Sequence, residues 1–425
     1  MTRERYITSL LALSGVIAAL TGVATTSNVK LLCIVAFVLG ALLSGFPRQV
    51  MHGRALLFFL FTVLVVISLE RTDLTRVRFV SHNAILRQEL FAIGAAWFLA
   101  SALWGRTELW ERRRNAALLA PGVLVVTNLA LWAIGFHFGP KPPNAGQAEM
   151  LTHLGFQISR QTLPLTPGIN SAGDVAAIAA AMSFVLLRSG GSRRFHLSVI
   201  AASLATIGLT DARGSLLYVL VAVAAVAFTP GFAKRAAVAV PVLIPLLPSI
   251  LLVVLSRSSG YTSALNHGGD VTTATGRSFI WRAIYDHLGK PHFADLFGYG
   301  YYGQITSGVS YQYAFLFRYQ PIPESASAHN MLLQTILDSG YVGAVVTVAL
   351  LSVGIWTVSQ RYTETLSSWD LATVIGLLVL VLLGTTETVP TIYFPESFVL
   401  ALLLLCVALR ARRDVDEPHA ALPAN

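Results

Sequence analysis

The strongest constraint on this fold is a series of apolar runs, each of about twenty residues, separated by short charged breaks or breaks containing glycine and proline. As an α-helix, a run of this length crosses the ~30 Å hydrocarbon core of a bilayer. Such runs recur from Tyr6 to near the C-terminus of the 425-residue sequence. Hydrophobic residues make up 55% of the chain and charged residues 12%, with a mean hydropathy of +0.66. This composition differs from that of a soluble domain, so the sequence predicts an all-α, polytopic membrane protein.

Reading the apolar runs against their breaks predicts about twelve transmembrane helices in a single transmembrane domain, 1–425. We interpret the first run as a retained span and not a signal peptide, because a second apolar run follows after a very short loop. The predicted spans are approximately 6–24, 29–45, 55–69, 88–105, 116–135, 171–188, 197–210, 214–229, 236–255, 331–358, 371–385 and 397–409.

The positive charge of the chain lies mainly in every second loop between these spans, and these loops are short. Because short cytoplasmic loops are enriched in Lys and Arg, we expect both termini in the cytoplasm, with 410–425 as a cytoplasmic tail. The largest loop, 256–328, then faces the other side, between the ninth and tenth spans. This distribution explains the net charge of +9 without a nucleic-acid partner.

Ionisable residues within the spans fall near one end. Asp174 opens the sixth span, Asp211 and Arg213 occupy the hairpin LTDARGSLLYVL, Asp338 lies two turns into the tenth span, and Glu387 follows the eleventh. Such residues are costly in hydrocarbon and mark functional positions. A secondary transporter would place them near the midplane. The pattern therefore favours chemistry at the level of the lipid headgroups.

Two segments of the large loop carry further candidates. In TATGRSFIWRAIYDHLGKP the apolar residues recur at helical spacing, which predicts an amphipathic helix lying in the membrane interface. Thr273 or Thr275 can cap it, which places Arg277 in the first turn, where a cation beside helix amides favours anions. In SASAHNMLLQ, His329 precedes the tenth span and can serve as a base near neutral pH. Simpler interpretations also stand: a solvated Arg277, a His329 that binds a backbone group, and an Arg213 that anchors its hairpin by pairing with Asp211.

Metal and phosphate-loop chemistry have little support. The histidines of the large loop lack a metal-ligand spacing, so no metal or other cofactor is predicted. Gly298 and Gly300 of LFGYGYYG lack the strand and helix of a phosphate-binding fingerprint and predict a flexible turn. For Tyr299, Tyr301 and Tyr302 a place in the aromatic belt of the membrane is favoured over stacking on sugars.

Taken in order, LTDARGSLLYVL, TATGRSFIWRAIYDHL with LFGYGYYG, and SASAHNMLLQTILDSGYVGAVV resemble the C-terminal signature region of the O-antigen ligase and O-antigen polymerase superfamily. The resemblance covers about 165–350. It implies a GT-C-like glycosyltransferase of the bacterial inner membrane with its active site in the periplasm. The implied partners are membrane lipids, a donor O-antigen glycan on undecaprenyl pyrophosphate and, for a ligase, lipid A-core oligosaccharide as acceptor.

The resemblance also implies roles for individual residues in a metal-independent, inverting transfer. Arg213 and Arg277 match the arginines that act on the donor pyrophosphate, and His329 matches the essential histidine, in the role of catalytic base. We favour a ligase on the overall resemblance, which includes one dominant loop between the ninth and tenth spans. A polymerase, which uses a second lipid-linked glycan as acceptor, and an enzyme that glycosylates proteins remain alternatives. A transporter or flippase of the same lipid-linked glycan remains an alternative from another class. Possible supporting residues are Asn330, Asp211, Trp281, Arg160 and Asp338.

Overall fold

The computed structural model describes residues 3–45, 53–105, 107–137, 148–153, 155–166, 168–187, 192–228, 274–318 and 320–410. In these ranges helices account for the regular structure, apart from one isolated bridge between Leu163 and Thr166. The helices are α1 Arg3–Val23, α2 Ser27–Ser44, α3 Gly53–Glu70, α4 His82–Leu103, α5 Trp110–Ala133, α6 Glu149–His153, α7 Ile169–Leu187, α8 Arg193–Thr210, α9 Arg213–Phe228, α10 Ala274–Leu288, α11 Ala294–Phe297, α12 Gly303–Thr306, α13 Met331–Thr365, α14 Ser368–Leu383 and α15 Pro395–Leu409.

The helices agree with the predicted spans wherever the chain is described. Of the twelve predicted spans, all but 236–255 coincide with a helix, and that span lies outside the described residues, as do 256–273 of the large loop and the tail beyond Arg410. Among the described helices α1, α2, α3, α5, α7 and α13 are long and apolar enough to cross a membrane, and α9, α14 and α15 are shorter apolar helices. The prediction of a helical, multi-pass membrane protein is confirmed, while the number of spans remains a prediction.

The packing centre of the fold is formed by α14 and α15. Every residue of α15 from Glu396 to Leu409 is buried, and α14 is buried along most of its length. Around this pair, α15 packs on α1 and α13, and α14 packs on α7, α9 and α13. Other helices, such as α2, expose leucine and valine side chains, as expected where lipid replaces protein as the apolar surrounding.

The long helix α13 is broken at Gly340, which has φ +73° and separates a short segment, 331–339, from a longer one, 341–365. The loop that follows α11 packs its backbone against this break. The amides of Tyr299 and Gly300 donate to the carbonyl oxygens of Leu337 and Asp338, at 2.7 and 3.1 Å. These bonds satisfy carbonyl groups that the break leaves without helical partners. The glycine-rich loop is therefore a packed part of the fold.

The part of α13 beyond its break has the length of a membrane span. At the far end of α13, Arg361 donates from Nε to Asp370 at 2.8 Å and from NH1 to the carbonyl of Arg410 at 3.1 Å. The helix from Gly340 to Arg361 is about 30 Å long, which equals the thickness of the hydrocarbon core. The segment between Gly340 and Arg361 is therefore long enough to cross the hydrocarbon core. The amide of Met331 donates to Gly384, just beyond α14, at 2.8 Å, so the start of α13 is held at the level where α14 ends.

Two predictions about apolar surfaces in the large loop are wrong. The apolar face of α10 packs on protein, not on the membrane interface: Ile280, Trp281 and Ile284 are at most 4% exposed and cluster with Tyr313 and Leu337. Arg277 is the fourth residue of α10, as expected for the first turn, while Thr273 and the side chain of Thr275 lie outside the described residues.

The tyrosines of LFGYGYYG also face protein and not the aromatic belt of the membrane. Tyr301 is 4% exposed and stacks on Tyr393 with ring centroids 4.6 Å apart, and Tyr302 packs edge-on against the same ring. Hydrophobic periodicity shows that a face is buried but not whether lipid or protein buries it.

Candidate active site

Two of the predicted site residues meet on one carboxylate, that of Glu387. The guanidinium of Arg277 forms an ion pair with Oε1 of Glu387, and Nδ2 of Asn170 donates to the same oxygen at 2.9 Å. Nδ1 of His329 lies 3.4 Å from the other oxygen, Oε2. The side chains of Arg277, Glu387 and His329 are 19%, 13% and 23% exposed, so the cluster is largely enclosed but still accessible.

Trp281 connects the helix that carries Arg277 to the segment that carries His329. Its indole Nε1 donates to the carbonyl oxygen of Ala328, the residue before His329, at 2.9 Å. Trp281 lies one turn after Arg277 in α10 and is 4% exposed. One buried hydrogen bond therefore sets the position of the imidazole relative to the guanidinium.

The backbone around His329 is held on both sides, and its own conformation is unusual. His329 has φ +46°, a left-handed conformation that costs a residue other than glycine about 1–2 kcal/mol. Before it, the amide of Ala328 donates to Oε1 of Gln334 at 2.8 Å. After it, Nδ2 of Asn330 donates to the carbonyl of Thr385 at 3.0 Å. These contacts hold the turn at His329 from both sides.

Asn330, not His329, is the N-cap of α13. Its Oδ1 accepts the amides of Leu332 and Leu333, both at 3.0 Å, which is the usual capping arrangement. The histidine thus has no capping duty and is free for a different role.

The imidazole of His329 is covered on one face by Phe317. The two rings are stacked at an interplanar angle of 9° with centroids 5.9 Å apart. With Nδ1 directed at Glu387, the other ring nitrogen, Nε2, points away from the carboxylate. Glu387 is therefore suited to orient the ring while Nε2 exchanges a proton.

The charge state of Glu387 follows from its neighbours. Burial would raise the pKa of this carboxyl, but the Arg277 guanidinium and the hydrogen bond and charge of His329 outweigh it and hold the pKa below its ordinary value. Glu387 is therefore ionised at neutral pH. The anionic carboxylate of Glu387 therefore lies between the guanidinium of Arg277 and Nδ1 of His329.

Arg213 and its neighbours form a second group at the hairpin between α8 and α9. Arg213 pairs with Oδ2 of Asp211 at 3.0 Å, and its side chain is 55% exposed. Asp211 ends α8 in a left-handed conformation and accepts the amide of Met150 at 3.1 Å. Arg160 donates from Nε to the carbonyl of Thr210 at 3.1 Å. Arg160 and Asp211 therefore stabilise the loop from which Arg213 projects.

The helix that Arg213 begins reaches the Glu387 cluster. On α9, the hydroxyl of Tyr218 lies 3.1 Å from the hydroxyls of Thr385 and Thr386, immediately before Glu387. On the same helix, Ser215 donates to the buried Asp174 at 3.0 Å. Arg213 thus lies at the start of a helix that forms part of the site wall.

Asp338 belongs to a neighbouring polar network behind the cluster. Its Oδ1 accepts the amide of Gly303 and Nε2 of Gln334, both at 2.9 Å, and the hydroxyl of Tyr393 at 3.2 Å. Gln334 in turn accepts the amide of Ala328, so Asp338 helps, through Gln334, to hold the turn before His329.

Among the residues that the structure describes, no three His, Cys, Asp or Glu side chains are grouped as for a metal ion.

A family model described as O-Antigen ligase matches residues 197–348. This segment is therefore similar to the O-antigen ligase and polymerase superfamily. A comparison with curated proteins gave no match. The matched segment contains Arg213, Arg277 and His329, so the predicted resemblance is confirmed. This similarity to the O-antigen ligase and polymerase superfamily supports a membrane enzyme with lipid-linked glycan substrates.

Sequence reasoning assigned no role to three members of the cluster: Glu387, Asn170 and Phe317. Glu387 gave one signal, since it is an ionisable residue directly after an apolar span, at the same end as the others. Asn170 and Phe317 gave none, because neither side chain is unusual in its sequence context. Glu387 and Asn170 also lie outside the segment matched to the O-antigen ligase family.

Proposed function

We propose that this protein is an O-antigen ligase of the bacterial inner membrane, a GT-C-like glycosyltransferase that acts on the periplasmic side. It transfers O-antigen glycan from undecaprenyl pyrophosphate to lipid A-core oligosaccharide. The observation that carries the proposal is the meeting of Arg277 and His329 on Glu387. A cation for a phosphate group and a base for a hydroxyl are the two functions that such a transfer requires.

The chemistry is a single displacement at the anomeric carbon. A hydroxyl oxygen of the acceptor sugar bonds to this carbon, and the bond from the carbon to the pyrophosphate oxygen breaks, with its electron pair leaving on undecaprenyl pyrophosphate. The acceptor proton passes to Nε2 of His329, while the anomeric configuration inverts. Nδ1 of His329, 3.4 Å from Glu387, donates to the carboxylate, which keeps the accepting nitrogen correctly oriented.

The arginines supply the electrostatic part of the reaction. A pyrophosphate leaving group gains negative charge as the bond breaks, and guanidinium groups stabilise it with paired N–H donors. Arg277 carries five N–H donors, of which its contact with Glu387 engages one NH2 group. Arg213, more exposed and at the start of α9, would approach the same pyrophosphate from the hairpin side. With two guanidiniums in these roles, the transfer requires no metal.

The depth of the cluster suits a lipid-linked donor. The amide of Met331, two residues after His329, donates to the carbonyl of Gly384 at the end of α14. Because α14 is about 24 Å long, which approaches the ~30 Å of the hydrocarbon core, its end is expected near the headgroups. A polyprenyl chain can therefore remain in the bilayer while its pyrophosphate lies at the headgroup level. A transporter path would instead need this polar cluster near the midplane.

A two-acceptor experiment tests the proposal. The purified protein in proteoliposomes receives glycan-loaded undecaprenyl pyrophosphate and either lipid A-core or only a second lipid-linked repeat. Transfer to lipid A-core, undiminished in EDTA, supports a metal-independent ligase. Transfer only to the second repeat would make the chain a polymerase, and movement of the donor across the bilayer without glycan transfer would make it a flippase.

A further inference from the structure

A short apolar projection lies beside the break in α13. The helix α11, Ala294–Phe297, and the residue before it expose three large apolar side chains: Phe293 is 80% exposed, Leu296 is 44% exposed and Phe297 is 49% exposed. Phe293 and Phe297 also touch each other, with ring centroids 6.0 Å apart. We refer to Phe293, Leu296 and Phe297 as the apolar wedge.

The backbone of the wedge is fixed, so the exposure is not the result of a loosely held loop. Asp295, between the exposed side chains, is 1% exposed. Its Oδ2 accepts the amide of His292 and its Oδ1 accepts the hydroxyl of Tyr299, both at 2.7 Å. Arg71, at the end of α3, donates to the carbonyl of Phe297 at 2.7 Å. The fold therefore holds the wedge outward.

The wedge lies at the depth where the membrane interface is expected. The carbonyl of Leu296 packs directly on Gly340, because a Cβ atom at Gly340 would overlap it. Gly340 in turn lies about 30 Å along α13 from Arg361, one hydrocarbon thickness away. The wedge is therefore level with the membrane boundary, on the same side as the Glu387 cluster.

The surface next to the wedge is a lipid-facing strip of α13. Directly after Gly340, Tyr341, Val342 and Val345 are 40%, 37% and 68% exposed on a helix that is long and apolar enough to span the membrane. The wedge extends this apolar strip beyond the span. Lys290 and His292 are also exposed just before it, where basic groups can meet lipid phosphates.

We propose that the apolar wedge inserts into the bilayer leaflet on the side of the Glu387 cluster and anchors the large loop to the membrane surface. The partner is the lipid itself: acyl chains bury Phe293, Leu296 and Phe297, and headgroup phosphates contact the basic residues before them. Since α10 ends only a few residues before the wedge, the anchor fixes the height of Arg277 above the hydrocarbon. The anchor does not depend on the reaction proposed above.

Site-directed spin labelling in nanodiscs tests the anchor. A single cysteine replaces Phe293 in a background carrying Cys33→Ala and Cys406→Ala, and its nitroxide is exposed to oxygen, which concentrates in lipid, and to a nickel chelate, which stays in water. Val345→Cys, on the lipid-facing strip, is the membrane reference. Asp286→Cys, on the exposed side of α10, is the aqueous reference.

We expect the ratio of oxygen to nickel accessibility at Phe293→Cys to match that at Val345→Cys and to exceed that at Asp286→Cys about tenfold. A ratio equal to that at Asp286→Cys would overturn the anchor, since it would place the wedge in water. Low accessibility to both reagents would overturn it as well, because a protein partner and not lipid would then cover the wedge. The thermal unfolding of each labelled protein, compared with that of the unlabelled background, confirms that the fold is retained.

Discussion

Oε2 of Glu387 lies 3.4 Å from Nδ1 of His329, although more than fifty residues separate them along the chain. The carboxylate is reached from the other side by Arg277. Glu387 thus joins the base and a phosphate-binding cation of the proposed reaction in one structural unit.

The shape of the Arg277 side chain, and not only its charge, should determine donor use. Replacement by Lys keeps the positive charge but loses the planar set of N–H donors that can bind both Glu387 and a phosphate. We expect Arg277→Lys and Arg277→Ala both to lower glycan transfer about 100-fold, measured as initial rates at saturating acceptor.

The matched control for Arg277 is Arg282→Ala, an exposed arginine on the same helix α10. It should transfer glycan at the wild-type rate. Donor binding by Arg277→Ala that equals the wild-type value would contradict a pyrophosphate role for this side chain.

For the rate of glycan transfer, the hydrogen bond from Trp281 to Ala328 should matter more than the packing of the Trp281 ring. Trp281→Phe keeps an aromatic ring but leaves the buried carbonyl of Ala328 unsatisfied, which costs about 1–3 kcal/mol. We expect a modest loss of thermal stability together with a roughly tenfold fall in kcat, because the His329 turn is no longer fixed, and an unchanged KM for the donor.

Trp97→Phe is the comparison for Trp281→Phe, since Trp97 is 39% exposed on α4. It should leave both kcat and thermal stability near wild type. An equal fall in kcat for both variants would mean that the effect is not specific to the bond beneath His329.

The sequence allowed some of these features to be predicted and concealed others for definable reasons. Hydropathy located the apolar helices because helices in lipid must be apolar along their length, and the residues around Arg277 and His329 carried a family pattern. Glu387 could not be paired with them, because that pairing depends on the end of α14 lying beside the start of α13. Likewise, the apolar face of α10 was evident, but lipid and protein both bury such a face, so only the fold showed that protein covers it.

The break at Gly340 should tolerate no side chain. Gly340 has φ +73° and Gly308 has φ +83°, but a Cβ at Gly340 would overlap the carbonyl of Leu296 whereas one at Gly308 would meet open space. Ala at either position costs about 1–2 kcal/mol for the left-handed backbone. We expect Gly340→Ala to lower the thermal unfolding temperature well beyond Gly308→Ala. Equal effects would show that the close approach of α11 is not important for stability.

The ion pair between Arg277 and Glu387 should give stability a definite pH dependence. The pKa of Glu387 is held below its ordinary value, against the effect of burial, so its stabilising contribution is present above the ordinary carboxyl pKa of about 4.3 and is lost as the pH falls through the lower folded value. In Arg277→Gln the burial remains without the compensating cation, and the pKa of Glu387 should rise.

Thermal unfolding in detergent from pH 4 to 8 checks this linkage. The wild type should be more stable than Arg277→Gln by about 1–3 kcal/mol at neutral pH. The difference should narrow as the pH falls through the raised folded pKa of Glu387 in Arg277→Gln, because protonation removes the uncompensated buried charge of the variant while Glu387 of the wild type is still ionised. A difference that is constant over the whole range would show that the Arg277 side chain acts through packing and not through the charge of Glu387.

The most direct test of the central claim is glycan transfer by His329→Ala in proteoliposomes that contain undecaprenyl-pyrophosphate-linked glycan and lipid A-core. His82→Ala, an exposed histidine at the start of α4, is the control. If His329 removes the proton from the acceptor, its variant should bind donor normally but transfer glycan at least about 100-fold more slowly, while His82→Ala remains active. Transfer by His329→Ala at the wild-type rate would contradict the account.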